Sequence, residues 1–322
     1  MILLVLEIPH TGLLNGQCQE KPAIPTGSVT LAVVLSLVSL VFFDLMGLVI
    51  KSLSADYGAA ELSAYRNIFG LVPSFIALWP SPAWHRSGRR LRVRQWGLIC
   101  ARGLIVTFAQ LMFYLSLGLI AFAIATTISY SSGLFMTAFA VLLLGERVGL
   151  IRWVAVLIGF VGVVMVMGPG RETFTLASLL PLGAAALYAL TGVTARLIDE
   201  EVPSALINLY STGFSVVGSV VLALFLGSFS PVQSASDLAW IVAMGGFGGT
   251  AVLLLIVSFR MTEQSNLAPF SYFGIPMAFF FGWVFFGEAP IRDLFPGSIL
   301  IVVGGVLVVW RERRRNKPAY PT

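Results

Sequence analysis

Charge is what this sequence has least of. Only 11% of its 322 residues are Asp, Glu, Lys or Arg, against about 25% in an ordinary soluble domain. With 57% hydrophobic residues and a mean hydropathy of +0.91, that deficit excludes a water-soluble globular protein. Cysteine is nearly absent: Cys18 and Cys100 are the only two, and neither their number nor their spacing suggests a disulfide framework or a metal site. The two histidines, His10 and His85, lie outside the apolar runs. Without a helix-borne histidine, an HExxH or a GxSxG motif, no catalytic constellation for an intramembrane enzyme is visible. There is no GxxxxGK[ST] and no soluble stretch large enough to hold a nucleotide domain, so ATP binding within this chain is excluded as a driving force. No metal and no cofactor is expected. The net charge of +5 marks no nucleic-acid face, because the basic residues gather in loops between apolar runs.

What is present is one apolar run after another. A bilayer core needs about 20 apolar residues per helix. Ten segments fit: 30–52, 62–79, 97–117, 120–144, 149–168, 175–196, 205–227, 237–260, 265–286 and 293–311. Barrel strands alternate apolar and polar residues over about 10 positions; these runs are apolar all round. Residues 1–29 carry Pro9, Pro22 and Pro25, lack a positive n-region, and read as a loose extension. Residues 312–322 read as a basic tail.

Lys and Arg set the orientation. With the N-terminus cytoplasmic, fifteen of the twenty fall on the inner side, among them Arg89, Arg90, Arg313, Arg314 and Arg315. Lys51, Arg171 and Arg292 fall outside, and Arg66 and Arg102 lie in or near helices. That bias predicts both termini cytoplasmic.

The chain also repeats. Adding 142 carries Ser116 to Ser258, Ser129-Tyr130 to Ser271-Tyr272, Gly145-Glu146 to Gly287-Glu288, and Gly162 to Gly304. An offset of 145 relates the first spans, as in Gly47/Gly192, Tyr65/Tyr210 and Phe69/Phe214. Five spans per half force the second half to insert upside down. The expected fold is therefore all-α and integral to the membrane, with ten transmembrane helices as two inverted five-helix repeats, 30–168 and 175–311. Many secondary transporters are built this way, with the substrate near the midplane between the halves.

The doubled pattern is a helix running into Leu-Gly-Glu-Arg (144–147) followed by LIGFVGVVMVM (157–167), then VFFGEAP followed by LIVVGGVLVVW. In these residues the chain resembles the drug/metabolite transporter superfamily, in its EamA-type ten-helix branch. Within that branch it is similar, more loosely, to the aromatic amino acid exporters. The resemblance covers 30–311. It implies a basket of two bundles around a central cavity, and a secondary transporter exporting small organic solutes, amino acids foremost, across a bacterial inner membrane. The alternatives are a sister branch for sugar phosphates, nucleotide sugars or cationic drugs, and a channel. Two buried arginines at most argue against doubly anionic solutes.

Candidate site residues follow from polarity within spans. Asp44 reads as a contact for an amine, ion or proton, or as a structural partner of Arg66 or Arg102. Arg66 reads as a carboxylate ligand, or as a side chain snorkelling to the surface. Arg102, one turn into its span, reads as snorkelling. Thr107, Gln110 and Tyr114 form one polar stripe, and Thr126, Tyr130, Gly133 and Thr137 another. Such stripes either line a cavity or bind helices together. Tyr188, Ser271 and Tyr272 complete the cavity-lining candidates. Glu146 and Glu288 are expected to make structural or gating contacts with a loop amide or an arginine. Pro269 and Pro276 are expected to bend their span. The glycines Gly245 and Gly249, Gly159 and Gly162, and Gly304-Gly305 read as close helix packing. Expected partners are the small-molecule solute, the bilayer and protons, not nucleic acid; monomer and homodimer both remain open.

Overall fold

The structure is a computed structural model. It describes residues 26–79, 85, 95–145, 149–168, 175–195, 197–198, 202, 204–261, 267 and 270–315. The described residues are helical, with no strand among them. In chain order the helices are α1 (Thr26–Leu53), α2 (Ala59–Leu78), α3 (Trp96–Leu119), α4 (Phe122–Ser129), α5 (Ser132–Leu144) and α6 (Leu150–Met167). The second half has α7 (Leu179–Ala195), α8 (Ser204–Phe225), α9 (Ala235–Met261), α10 (Gly274–Phe286), α11 (Ile291–Leu294) and α12 (Gly297–Arg315). Six of the described segments are long and apolar enough to cross a membrane, counting Phe122–Leu144 as one. α1 starts at Thr26, inside the stretch expected to be loose, and α12 runs to Arg315, into the basic tail. The arginines of residues 86–94, Glu146 and Pro269 lie outside the described residues.

The span expected as one helix over 120–144 is two. α4 ends at Ser129, Tyr130 and Ser131 form a tight turn, and α5 begins at Ser132. The amide of Tyr130 is shared between the carbonyls of Thr126 and Thr127, and that of Ser131 reaches Ile128 at 3.0 Å. This is the i→i+3 geometry that tightens a helix locally. The second half breaks at the corresponding pair: Ser271 is helical, Tyr272-Phe273 is a turn, and α10 starts at Gly274. Proline is not needed for this, since Tyr130-Ser131 breaks without one. Pro276 sits in the first turn of α10, where a missing N–H leaves no helix bond unmade. Both broken spans end alike, in Gly145 and Gly287 at φ 64° and 66°. A side chain there would be strained, so the glycine of each GE pair is a left-handed helix stop.

Packing pairs the two halves. α1 lies on α9, α2 on α8 and α9, α3 on α7 and α8, α5 on α7, α4 and α1 on α10, and α6 on α12. Apart from α4 on α10, whose image falls on residues outside those described, these pairings map onto themselves when each segment is exchanged for its counterpart in the other half. The contacts are close because side chains are missing from them. A Cβ on Gly162 would lie 2.5 Å from the Gly297 carbonyl oxygen, and one on Gly304 2.7 Å from that of Ala155. Gly245 and Gly249 admit Phe69 and Pro73 to the surface of α9 in the same way. Gly304→Leu should push α6 and α12 apart and cost about 2 kcal/mol. The check is thermal unfolding in detergent: a lower midpoint is expected, and an unchanged one contradicts this packing.

Candidate functional site

The two breaks face each other. The rings of Tyr130 and Tyr272 lie 6.2 Å apart, centroid to centroid, tilted by 47°. Glycines accept both hydroxyls: a Cβ on Gly274 would overlap the Tyr130 hydroxyl, and one on Gly305 that of Tyr272. Irregular backbone at membrane depth survives only where protein buries it or a wet cavity solvates it. Here Ser131 is fully buried, yet its hydroxyl has no partner.

Ser131 belongs to a larger set. Asp44 Oδ2, Arg66 Nε, Arg102 Nε, Tyr114 Oη, Thr126 Oγ1, Thr127 Oγ1 and Ser211 Oγ are also buried without a hydrogen bond. A buried polar group left unpaired costs about 1–3 kcal/mol, and native folds hold few of them. All but Ser211, on α8, belong to α1–α4 and the turn after α4, a concentration that a binding site demands and a packed core does not. Four of the nine cavity-lining candidates, Asp44, Arg66, Tyr114 and Thr126, are in this set. Tyr130 is within electrostatic reach of Asp44, and Tyr114 and Tyr188 are within reach of Arg66. Tyr188 and Ser271 are half-buried.

Arg66 does not snorkel. It is 8% exposed, and its Nη1 donates to Asn67 Oδ1 at 3.0 Å. No ion pair joins Asp44 to Arg66 or Arg102 among the described residues. Arg102 instead donates to the Thr191 carbonyl and to Thr194 Oγ1, satisfying the open C-terminal end of α7. Gln110 holds α2 to α3: its Oε1 accepts from Ser63 at 3.0 Å and Asn67 at 2.8 Å, and its Nε2 donates to Asn67 Oδ1. Asn67 also reaches Ser219 on α8. Sequence reading passed over Asn67 and Ser63, although Asn67 follows an in-span arginine and sits in a polar turn of α2.

Polar contacts fasten one end of the helix bundle. Lys51 pairs with Glu288 at 2.9 Å, with side chains 13% and 27% exposed. Lys51 also donates to the carbonyls of Leu117 and Ile120, at 3.2 and 2.8 Å, and lies over the Phe286 ring. Glu288 Oε2 accepts the amide of Phe122 at 2.8 Å, capping the start of α4. The Phe122 ring sits in the notch left by Gly47. One ion pair thus ties the ends of α1, α3 and α10 to the start of α4. Glu288 therefore meets a backbone amide, as expected, and a lysine rather than an arginine. At the same end, Ser230 donates to both oxygens of Glu61, and Tyr57 donates to Asp237. Asp44 lies seven residues from Lys51, about 10 Å along α1, and Tyr130 eight from Phe122, about 12 Å. Asp44 and Tyr130 therefore sit at similar depths below this fastening, and Tyr114, three residues from Leu117, lies nearer to it.

Comparison with known proteins then decides the family. The EamA-like transporter family matches residues 30–168 and again 175–310. The chain belongs to that family. It is 26% identical to an S-adenosylmethionine uptake transporter of Rickettsia bellii, over 87% of this chain and 92% of the relative. It is 30% identical to a riboflavin transporter of Rhizobium johnstonii over 61% of this chain and 64% of the relative. It is 23% identical to human solute carrier family 35 member G1, over 86% and 79%. A solved crystal structure at 20% identity covers 89% of this chain and 99% of its own, with a TM-score of 0.60, and shares the fold. These EamA relatives correct one expectation: their names point to uptake of S-adenosylmethionine and to riboflavin transport, not to aromatic amino acid export. The chain is a membrane protein of a small-molecule transporter family, and the names of the family and of these relatives indicate transporters rather than enzymes.

Proposed function

We propose that this EamA-family protein is a secondary transporter that moves a small organic solute with an amino-acid head group across the bacterial inner membrane by alternating access. One observation carries the reading: Asp44 Oδ2, Arg66 Nε and Tyr114 Oη are buried without a hydrogen bond in a chain whose repeated spans break at Tyr130-Ser131 and Tyr272-Phe273. Transporters place their solutes at such breaks, near the midplane and between repeats.

The same reading takes the ten spans as two inverted repeats with both termini cytoplasmic. Several observations support it. Exchanging the halves preserves the packing. The breaks and the left-handed glycines obey the 142-residue register. Glu288, just past the end of α10, touches the start of α4, so these counterparts run in opposite directions. The Lys51–Glu288 end is then periplasmic, and the ion pair is a gate that opens as the bundles tilt. Direction is set by the gradient. The same site serves export, as in amino acid exporters, and uptake, as the relatives' names have it. S-adenosylmethionine and the free amino acids share an α-amino-acid head, which the charges of this site suit.

The test is uptake by sealed proteoliposomes of the purified full-length protein, using labelled S-adenosylmethionine, phenylalanine and riboflavin. Saturable, counterflow-stimulated uptake of at least one amino-acid-headed solute is expected. Single-channel currents with no saturation would support a channel instead.

A further inference from the structure

We infer that the site has two poles of opposite charge, one built on Arg66 and one on Asp44, and selects solutes that carry an anion and a cation on one small molecule. This rests on the transporter reading above and names its substrate class. The poles lie on different helices. Asp44 on α1 is 4% exposed and Arg66 on α2 is 8% exposed. Neither charge is neutralised by the other or by a third ionised group in the described structure.

The Arg66 pole is oriented from behind. Its Nη1 is held by Asn67, and Asn67 is fixed by the reciprocal amide pair with Gln110. The other edge of the guanidinium lies against Gly248 of α9: a Cβ there would be 2.9 Å from Nε and 3.2 Å from Nη2. Among the described residues no carboxylate pairs with it. The Met46 sulfur, the Gly248 backbone and Asn67 lie against it, and Tyr114 and Tyr188 are within electrostatic reach. Arginine offers a planar fork that matches a carboxylate, and the free Tyr114 hydroxyl can donate to the same group.

The Asp44 pole has no fixed donor at Oδ2. Tyr130 is within electrostatic reach of it, and the Tyr272 ring lies 6.2 Å from that of Tyr130. A carboxylate with aromatic faces beside it receives an ammonium or sulfonium, because the negative ring face and the carboxylate attract the same charge. A solute with one charge pairs one pole and leaves the other buried and unpaired, which penalises it against a zwitterion. A doubly anionic ester also meets the repulsion of Asp44. Selectivity thus comes from rejecting singly charged look-alikes as much as from holding zwitterions.

The experiment uses one ring with its charges removed in turn. Proteoliposomes of the full chain take up labelled phenylalanine or S-adenosylmethionine against phenylalanine, 2-phenylethylamine or 3-phenylpropionate as competitor. Phenylalanine should compete at about tenfold or more lower concentration than either fragment. Arg66→Met should erase the advantage of phenylalanine over the amine, while Arg66→Lys keeps part of it. Asp44→Asn should erase its advantage over the acid. Equal competition by all three in the wild type overturns the two poles. So does an equal loss for every competitor in variants that elute as monodisperse, folded protein. If the variants do not fold, the wild-type competitor series decides alone. Riboflavin uptake indifferent to all three compounds would leave the transporter reading standing and overturn the poles. No uptake of any labelled solute would remove both.

Discussion

Asp44→Asn is expected to lower transport of an amino-acid-headed solute about 100-fold, while making the protein more stable. The two signs come from one cause. A carboxylate at a helix centre costs about 2.5–3.5 kcal/mol to place in the membrane. Among the described residues little offsets that cost: Asp44 is buried, Oδ2 lacks a hydrogen bond, and no cation pairs with it. Removing the charge relieves the resting protein. The solute's cation, however, loses a charge-assisted contact worth about 3 kcal/mol, which is roughly two powers of ten. Flux in proteoliposomes and thermal unfolding in detergent check the two halves. A structural aspartate would lose stability on substitution, so a lower melting midpoint with unchanged flux contradicts the assignment.

Glu288→Gln is expected to open the Lys51 end. The substitution removes the ion pair at 2.9 Å but leaves an acceptor for the Phe122 amide. The pair is only partly exposed, and losing it should shift the balance between closed and open by about 1.4 kcal/mol, a factor of ten in population. Lys51→Met should do the same, since Lys51 also leaves the carbonyls of Leu117 and Ile120. The double substitution should add little to either single one, because both remove one interaction. Turnover should fall about tenfold with the apparent affinity changed less. Additive losses in the double variant would show that the two residues act separately.

Much of this was legible in the sequence because periodicity and register are local or repeated signals. The apolar spans, and the equivalence of Gly145 with Gly287 and of Ser129-Tyr130 with Ser271-Tyr272, follow from reading the chain against itself; the left-handed backbone at both glycines was added by the structure. The break at those pairs was not legible. Tyr130-Ser131 holds neither glycine nor proline, and nothing in FAIATTISYSSGL distinguishes a tight turn from continuing helix. Pro276 points to a bend, but the turn comes before it. Arg66 reads locally as a snorkelling residue; it is buried because Asn67 beside it and Gln110 on α3 make a polar nest for it. Lys51 carried only orientation in the sequence. Its choice of Glu288 joins opposite halves of the chain, a pairing that local pattern does not encode.

The account stands on a buried hollow that opens to one side at a time. In a Cys18→Ser, Cys100→Ser background, Tyr130→Cys and Tyr188→Cys are labelled in sealed vesicles by a membrane-impermeant thiol reagent, from each side separately. Both cysteines should react from the side opposite Lys51 and be shielded from the Lys51 side, and adding Glu288→Gln should expose them there. Shielding from both sides, with and without that change, would contradict it.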